Sequence, residues 1–153
     1  MGKRSFEYAL DTTAPPERVI AALTDFTDRR LEYWPALSRG QYKVLETGQK
    51  TALVKEGTAV GWAIERYEWS EPGLVRLTCQ DSNLARPGTE WTYRVTPKDG
   101  GGSHVDVHLT RDYKGLYGLF FSTVIRTMGG GKLLAKYLQQ TLDILEKEKA
   151  PAC

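Results

Sequence analysis

The chain has 153 residues, 41% of them hydrophobic, and a mean hydropathy of −0.44, the size and balance of one water-soluble domain spanning 1–153 with a substantial core. Its 21 basic and 19 acidic residues leave a net charge of +2, and the cations are scattered, which argues against nucleic acid as the main partner. No apolar run approaches the ~18 residues of a membrane span, and two cysteines, Cys79 and Cys153, make no disulfide framework, so the expectation is a cytoplasmic protein without stable membrane insertion.

Phe6, Tyr8, Leu10 and Thr12 alternate with Glu7, Ala9 and Asp11, the pattern of a half-buried strand. The residues before it lack the apolar stretch of a secretory signal. Ala14-Pro15-Pro16-Glu17 opens a helix, since proline is tolerated in a first turn, and Val19, Ile20, Leu23 and Phe26 give it an apolar side. A second short helix holds Asp28 to Tyr33 and stops before Trp34-Pro35. Six strands follow: Gln41–Thr47, Thr51–Glu56, Gly61–Ser70, Leu74–Asp81, Thr89–Thr96 and Ser103–Asp112. Gly48, Gly57, Pro72-Gly73, Pro87-Gly88 and the run Asp99 to Gly102 punctuate them.

From Leu116 to Leu145 the apolar spacing is helical. Leu116, Leu119, Phe120, Thr123, Val124, Thr127 and Met128 form one stripe; Leu133, Leu134, Tyr137, Leu138, Thr141, Leu142 and Leu145 resume it in phase. That predicts one long helix running through Gly129-Gly130-Gly131. Glycine in a helix interior costs about 1 kcal/mol relative to alanine, so three in succession need a reason. Either they leave room for a ligand on the buried face, or they mark a kink or the close approach of a strand.

The predicted architecture is therefore α+β: a seven-stranded antiparallel sheet curved around a long C-terminal helix, with two short helices after the first strand. The sheet is the only surface large enough to cover the helix stripe. A cavity between sheet and helix is the natural by-product of that grip.

Three local patterns carry a family resemblance. One is strand-Ala14-Pro15-Pro16-Glu17-helix followed by Asp25-Phe26 and Tyr33-Trp34-Pro35. Another runs from Glu65-Arg66-Tyr67-Glu68-Trp69 through Glu71-Pro72-Gly73 to Leu77. The third is Thr92-Tyr93-Arg94-Val95-Thr96-Pro97 through the glycine turn to Val105. Together, over roughly Ser5 to Glu146, the chain resembles the START-like (SRPBCC) superfamily, in particular its polyketide cyclase/dehydrase and lipid-transport branch. The resemblance implies a helix-grip fold with a deep, largely apolar cavity. It does not fix a reaction, because lipid carriers, hormone and pigment binders, polyketide cyclases and quinone-binding proteins share the fold.

Aromatic residues are plentiful. Trp91, Tyr93 and Val95 share one strand face, Val105, Val107 and Leu109 another, and Phe6, Tyr8 and Leu10 a third. Facing inward, they would line the grip with Leu116, Phe120, Val124 and Met128, either as core or as a pocket for a flat or ring-bearing ligand. The Gly61–Ser70 strand leaves its inward face open: Trp62, Ile64 and Arg66, or Ala63, Glu65, Tyr67 and Trp69, the second set being favoured by the resemblance. Trp34 falls where the family often forms a mouth, as gate or as hydrophobic plug. Arg111 either caps the inner row, where it would bind a carboxylate or enolate oxygen, or reaches solvent from a strand end.

The expected ligand-binding set is thus Tyr8, Trp34, Tyr67, Trp69, Trp91, Tyr93, Val107, Arg111, Phe120, Val124, Met128 and Gly130. No catalytic residue is assigned. His104 and His108 lie four apart on the outward face of a strand, about 13 Å from each other, too far to share a metal, and no cofactor is expected. Gly129-Gly130-Gly131-Lys132 lacks the Ser or Thr and the preceding strand of a phosphate loop. The leading expectation is a carrier or binder of a small hydrophobic, lipid-like or aromatic molecule. An enzyme of the cyclase or aromatase kind and a protein-interaction module are the alternatives. Nothing in the sequence specifies an oligomeric state.

Overall fold

The computed structural model describes residues 3–59, 61–127 and 131–148. Strand β1 (Lys3–Thr12) is followed by helices α1 (Pro16–Leu23) and α2 (Arg30–Tyr33) and a 3-10 turn at Arg39–Gln41. Then come β2 (Lys43–Gly48), β3 (Thr51–Gly57), β4 (Trp62–Glu68), β5 (Leu74–Ser82), β6 (Glu90–Pro97) and β7 (Ser103–Asp112). Helices α3 (Gly115–Thr127) and α4 (Gly131–Glu148) complete the chain.

The seven strands form one antiparallel sheet in the order β1-β7-β6-β5-β4-β3-β2. β2 to β7 pair in sequence order, as short turns between strands require. β1 alone joins from a distance, pairing with β7 over its whole length, Lys3 opposite Asp112 to Thr12 opposite Ser103. Period-2 alternation then aligns the inward side chains into rows across the strands. One row runs Phe6, Leu109, Trp91, Leu77, Tyr67, Ala52; a second runs Leu10, Val105, Val95; a third runs Tyr8, Val107, Tyr93, Val75.

Helix α4 covers this face. Leu138, Thr141, Leu142 and Leu145 are buried at i, i+3, i+4 and i+7, as the sequence pattern predicts. Polar ties fix its seat: Thr141 Oγ1 donates to the Tyr33 carbonyl at 2.7 Å and Thr12 Oγ1 to Glu146 Oε2 at 2.8 Å. Helix α1 begins with Pro16 in its first turn and buries Val19, Ala22 and Leu23. The β6–β7 turn needs Gly102: its φ is +84°, and a Cβ there would lie 2.4 Å from the Thr12 carbonyl oxygen.

In the C-terminal segment, helix is described on both sides of the glycine run through which the predicted long helix passes. The described residues form two helices, and Met128, Gly129 and Gly130 between them lie outside the described residues. Gly131 opens α4 beside β1, where a Cβ would meet the Glu7 carbonyl oxygen at 3.6 Å, so a strand does approach at the end of the glycine run. The apolar stripe of α3 is not buried against the sheet. Leu116 is 88% exposed and Phe120 66%. The buried face is instead Gly118, Ser122 and Ile125. The reason is steric. A Cβ at Gly118 would sit 2.6 Å from the Leu84 carbonyl oxygen, so α3 docks closely through Gly118 and Ser122, with Ile125 beside them, and Leu116, Leu119 and Phe120 turn outward.

The two histidines stand on the outer face of β7, as predicted. His104 pairs with Asp11 at 2.6 Å and Asp106 at 3.2 Å. The Asp11 hydrogen bond raises its pKa above the ordinary 6.5. A histidine whose folded pKa is raised stabilises fully below the unfolded value, and that contribution fades as pH rises through the folded one. The imidazole of His104 should therefore titrate above 6.5 in a proton NMR pH series and return toward it in Asp11→Asn. A midpoint at or below 6.5 in the wild-type chain would refute the pairing.

Candidate functional site

Two polar clusters interrupt the inward aromatic and aliphatic rows. The first sits under α2. Arg30 is 3% exposed and donates from Nε to Glu56 Oε2 at 2.6 Å, from Nη1 to the Leu23 carbonyl at 2.8 Å and from Nη2 to the Tyr67 hydroxyl at 2.7 Å. Tyr67 in turn donates to Glu56 Oε1. The guanidinium carbon also lies over three rings: Phe26 at 4.7 Å, Tyr67 at 5.3 Å and Trp34 at 5.5 Å. Burial disfavours the Arg30 charge, but Glu56 and Tyr67 outweigh it and hold its pKa above the ordinary value. Arg30, Glu56 and Tyr67 are hydrogen-bonded to one another within the protein, while Nε1 of Trp34 beside them is buried without a partner. The cluster clamps α2 and Trp34 onto β3 and β4.

The second cluster is not satisfied. Arg111 on β7 bonds through Nη2 to Glu65 Oε2 on β4, across the face of the two strands between them. Their side chains are only 11% and 4% exposed. Glu65 Oε1 and Arg111 Nη1 are buried without a hydrogen-bond partner, and so is Nε1 of Trp91, whose ring lies 5.5 Å from the Arg111 guanidinium carbon. Burial pushes the Glu65 carboxyl above the usual carboxylate range, and Arg111 pulls it back only in part. Cys79, opposite Glu65 in the β4–β5 ladder, is held as a thiol because burial, and then the Glu65 charge, raise its pKa. Burial likewise keeps Tyr8, Tyr67 and Tyr93 as neutral phenols. The inner face therefore offers one acceptor, one cationic donor and an indole N–H amid aromatic surface. Such a set can hold a ligand oxygen, or polarise a carbonyl while a carboxylate takes a proton.

The expected ligand-binding residues divide among these places. Register brings Tyr8, Val107 and Tyr93 together, and Trp91 stacks on Tyr93 with centroids 5.9 Å apart. On β4 the set Glu65, Tyr67 faces inward, where both are 3% exposed, while Arg66 is exposed. Trp69 and Tyr67 pack around Phe26, at 6.0 and 4.8 Å. Trp34 lies half-buried against Arg30. Arg111 takes the inner position rather than the solvent one. Phe120 departs from the expectation: it lies on the exposed side of α3, away from the inner face, because the helix is seated by Gly118 and Ser122. Val124, on the same helix, is half-buried. Met128 and Gly130 lie outside the described residues. Sequence reasoning assigned no role to Arg30 or Glu56, and read Phe26 as part of the apolar side of the first helix. Glu65 was legible only as a member of the face shared with Tyr67, where a carboxylate among aromatics was the available signal.

The family model for polyketide cyclase/dehydrase and lipid transport matches residues 3–148. No curated protein matches in sequence. Among solved structures, the Zhui aromatase/cyclase from Streptomyces sp. R1128 superposes with a TM-score of 0.75 at 13% identity, covering 98% of this chain and 97% of its own. A START superfamily protein from Mycobacterium smegmatis gives 0.69 at 14% identity, covering 92% and 98%. Norcoclaurine synthase from Thalictrum flavum, solved with dopamine and hydroxybenzaldehyde, gives 0.69 at 9% identity, covering 96% and 88%. At these identities the likeness is one of fold.

Proposed function

The chain belongs to the polyketide cyclase/dehydrase and lipid-transport family of the START-like superfamily, and from that premise we propose that it binds a small hydrophobic, ring-bearing or lipid-like molecule between the inner face of the sheet and α4. Apolar burial against Tyr8, Tyr67, Trp91, Tyr93 and Val107 supplies most of the affinity. The observation that carries this reading is the Glu65–Arg111 pair. Buried polar atoms are nearly always hydrogen-bonded, and leaving one unpaired costs about 1–3 kcal/mol. Three such atoms around one ion pair, the donors Arg111 Nη1 and Trp91 Nε1 and the acceptor Glu65 Oε1, fit a ligand hydroxyl, which can accept from the first two and donate to the third.

Native mass spectrometry of the purified protein, with organic extraction of bound material, tests the proposal directly. A retained hydrophobic compound bearing a carbonyl or hydroxyl is the expected result. A clean apoprotein that also fails to bind a panel of fluorescent aromatic compounds and lipids would overturn it in favour of a protein-interaction role.

A second reading has its own observation. Catalysis of ring closure needs a group to polarise a carbonyl and a base to take a proton, and Arg111 with Glu65 supplies both on the inner face. The Zhui protein is an aromatase/cyclase, and this chain would act likewise if incubation with a poly-β-ketone mimic gave a cyclised, dehydrated product. Binding without turnover would leave it a carrier.

A further inference from the structure

We infer that the outer face of α3 is a docking surface for an anionic phospholipid bilayer. The helix inverts the usual arrangement of a surface helix. Gly118, Ser122 and Ile125 are buried, while Leu116, Tyr117, Leu119 and Phe120 are 88%, 53%, 42% and 66% exposed. Among the described residues these four are all but one of the large exposed hydrophobic residues; the other is Leu45 on β2. Exposed apolar side chains gathered on one helix mark an interaction site.

Charge selects the partner. From Tyr113 to Leu142 the sequence holds Lys114, Arg126, Lys132 and Lys136 and no aspartate or glutamate. The rest of the chain is therefore net negative although the whole carries +2. Arg126, Lys132 and Lys136 are exposed, and among the described residues none of the four forms an ion pair. Arg126 falls seven residues beyond Leu119, on the same side of α3. Leucine, tyrosine and phenylalanine flanked by lysine and arginine are the composition of a helix that lies in the interface of a negatively charged membrane. A second copy of this chain fits less well, because an isologous contact would set these cations against their own copies. No helix of the described residues is long and apolar enough to cross a membrane, so the contact is peripheral and reversible.

Co-sedimentation with vesicles tests this. The wild-type chain should bind phosphatidylcholine vesicles containing about one-third phosphatidylglycerol and leave vesicles of phosphatidylcholine alone in the supernatant, with binding lost at high salt as screening shortens. Arg126→Glu/Lys132→Glu should weaken partition roughly tenfold or more, each charge near the surface being worth about fivefold. Leu116→Ser/Phe120→Ser should weaken it comparably while leaving the thermal melt unchanged, since both side chains already face solvent. Leu45→Ser should bind as the wild type does. Absence of binding to the anionic vesicles, equal binding to both compositions, or undiminished binding by the α3 variants would overturn the inference. So would a wild-type dimer in size-exclusion chromatography that Leu116→Ser/Phe120→Ser dissociates, which would assign the face to a second copy. The α3 variants leave every residue proposed for the grip in place, so loss of vesicle binding in them is distinguishable from loss of a ligand inside it.

Discussion

Arg30→Met lowers the stability of the domain by about 3–5 kcal/mol, the range for removing one partner of a buried ion pair. For a chain of this length that is a fall of roughly 6 to 20 °C in melting temperature by circular dichroism. The size of the effect follows from what is left behind. Glu56 and the Tyr67 hydroxyl both lose their cation, and the Leu23 carbonyl loses its donor. Arg30→Lys keeps the charge but not the fork that serves three acceptors at once, so it should recover only part of the loss. A shift of less than about 2 °C in Arg30→Met would show that the cluster does not hold α2 to the sheet.

The Glu65–Arg111 pair predicts a different signature. Arg111→Met leaves a buried carboxyl without its cation and should cost a similar 3–5 kcal/mol, whereas Glu65→Leu/Arg111→Met together should come back to near wild-type stability, because a buried pair replaced by apolar side chains is often neutral or better. The single variant should also respond to acid. Burial raises the Glu65 pKa and Arg111 is what lowers it. Without Arg111 the folded-state pKa rises further above the unfolded value, so protonation favours the fold and the deficit shrinks as pH falls. Ligand affinity separates anchor from scaffold. If the pair anchors a ligand oxygen, the double variant is stable and binds poorly. A double variant that is stable and binds at wild-type strength would remove the pair from the binding site.

Much of the architecture was legible because it rests on period and punctuation. Alternation in Ser103–Asp112 set β7 to the residue, and glycine and proline turns placed the other five of the six strands after α2 within a few residues. The outer positions of His104 and His108 followed from the same parity. α4 was legible because its leucines are both large and inward. α3 was not, since an apolar stripe tells which residues dislike water but not which face can come close. Gly118 and Ser122 win that contest by absence of bulk, and hydrophobic spacing assigns them no weight. The ion pairs were illegible for another reason. Arg30 meets Glu56 from 26 residues away, and Arg111 meets Glu65 from 46. A lone arginine at a helix start or a strand end carries no mark of its distant partner.

The pairing of β1 with β7 also imposes an order of events on the chain as it emerges from the ribosome. Strands β2 to β7 form a meander whose ladders each close a short loop, but β1 must wait for a partner whose residues lie up to 109 positions later, Lys3 opposite Asp112. Synthesis at about 5–20 residues per second puts several seconds between the two. Through that interval Phe6, Tyr8 and Leu10 remain uncovered, and once β7 is made its open edge is a template for other strands until β1 arrives. Lys3, Glu7 and Asp11 lie on the opposite face from those apolar side chains, so the waiting strand carries charge along one side, the kind of residue that disfavours strand-to-strand aggregation.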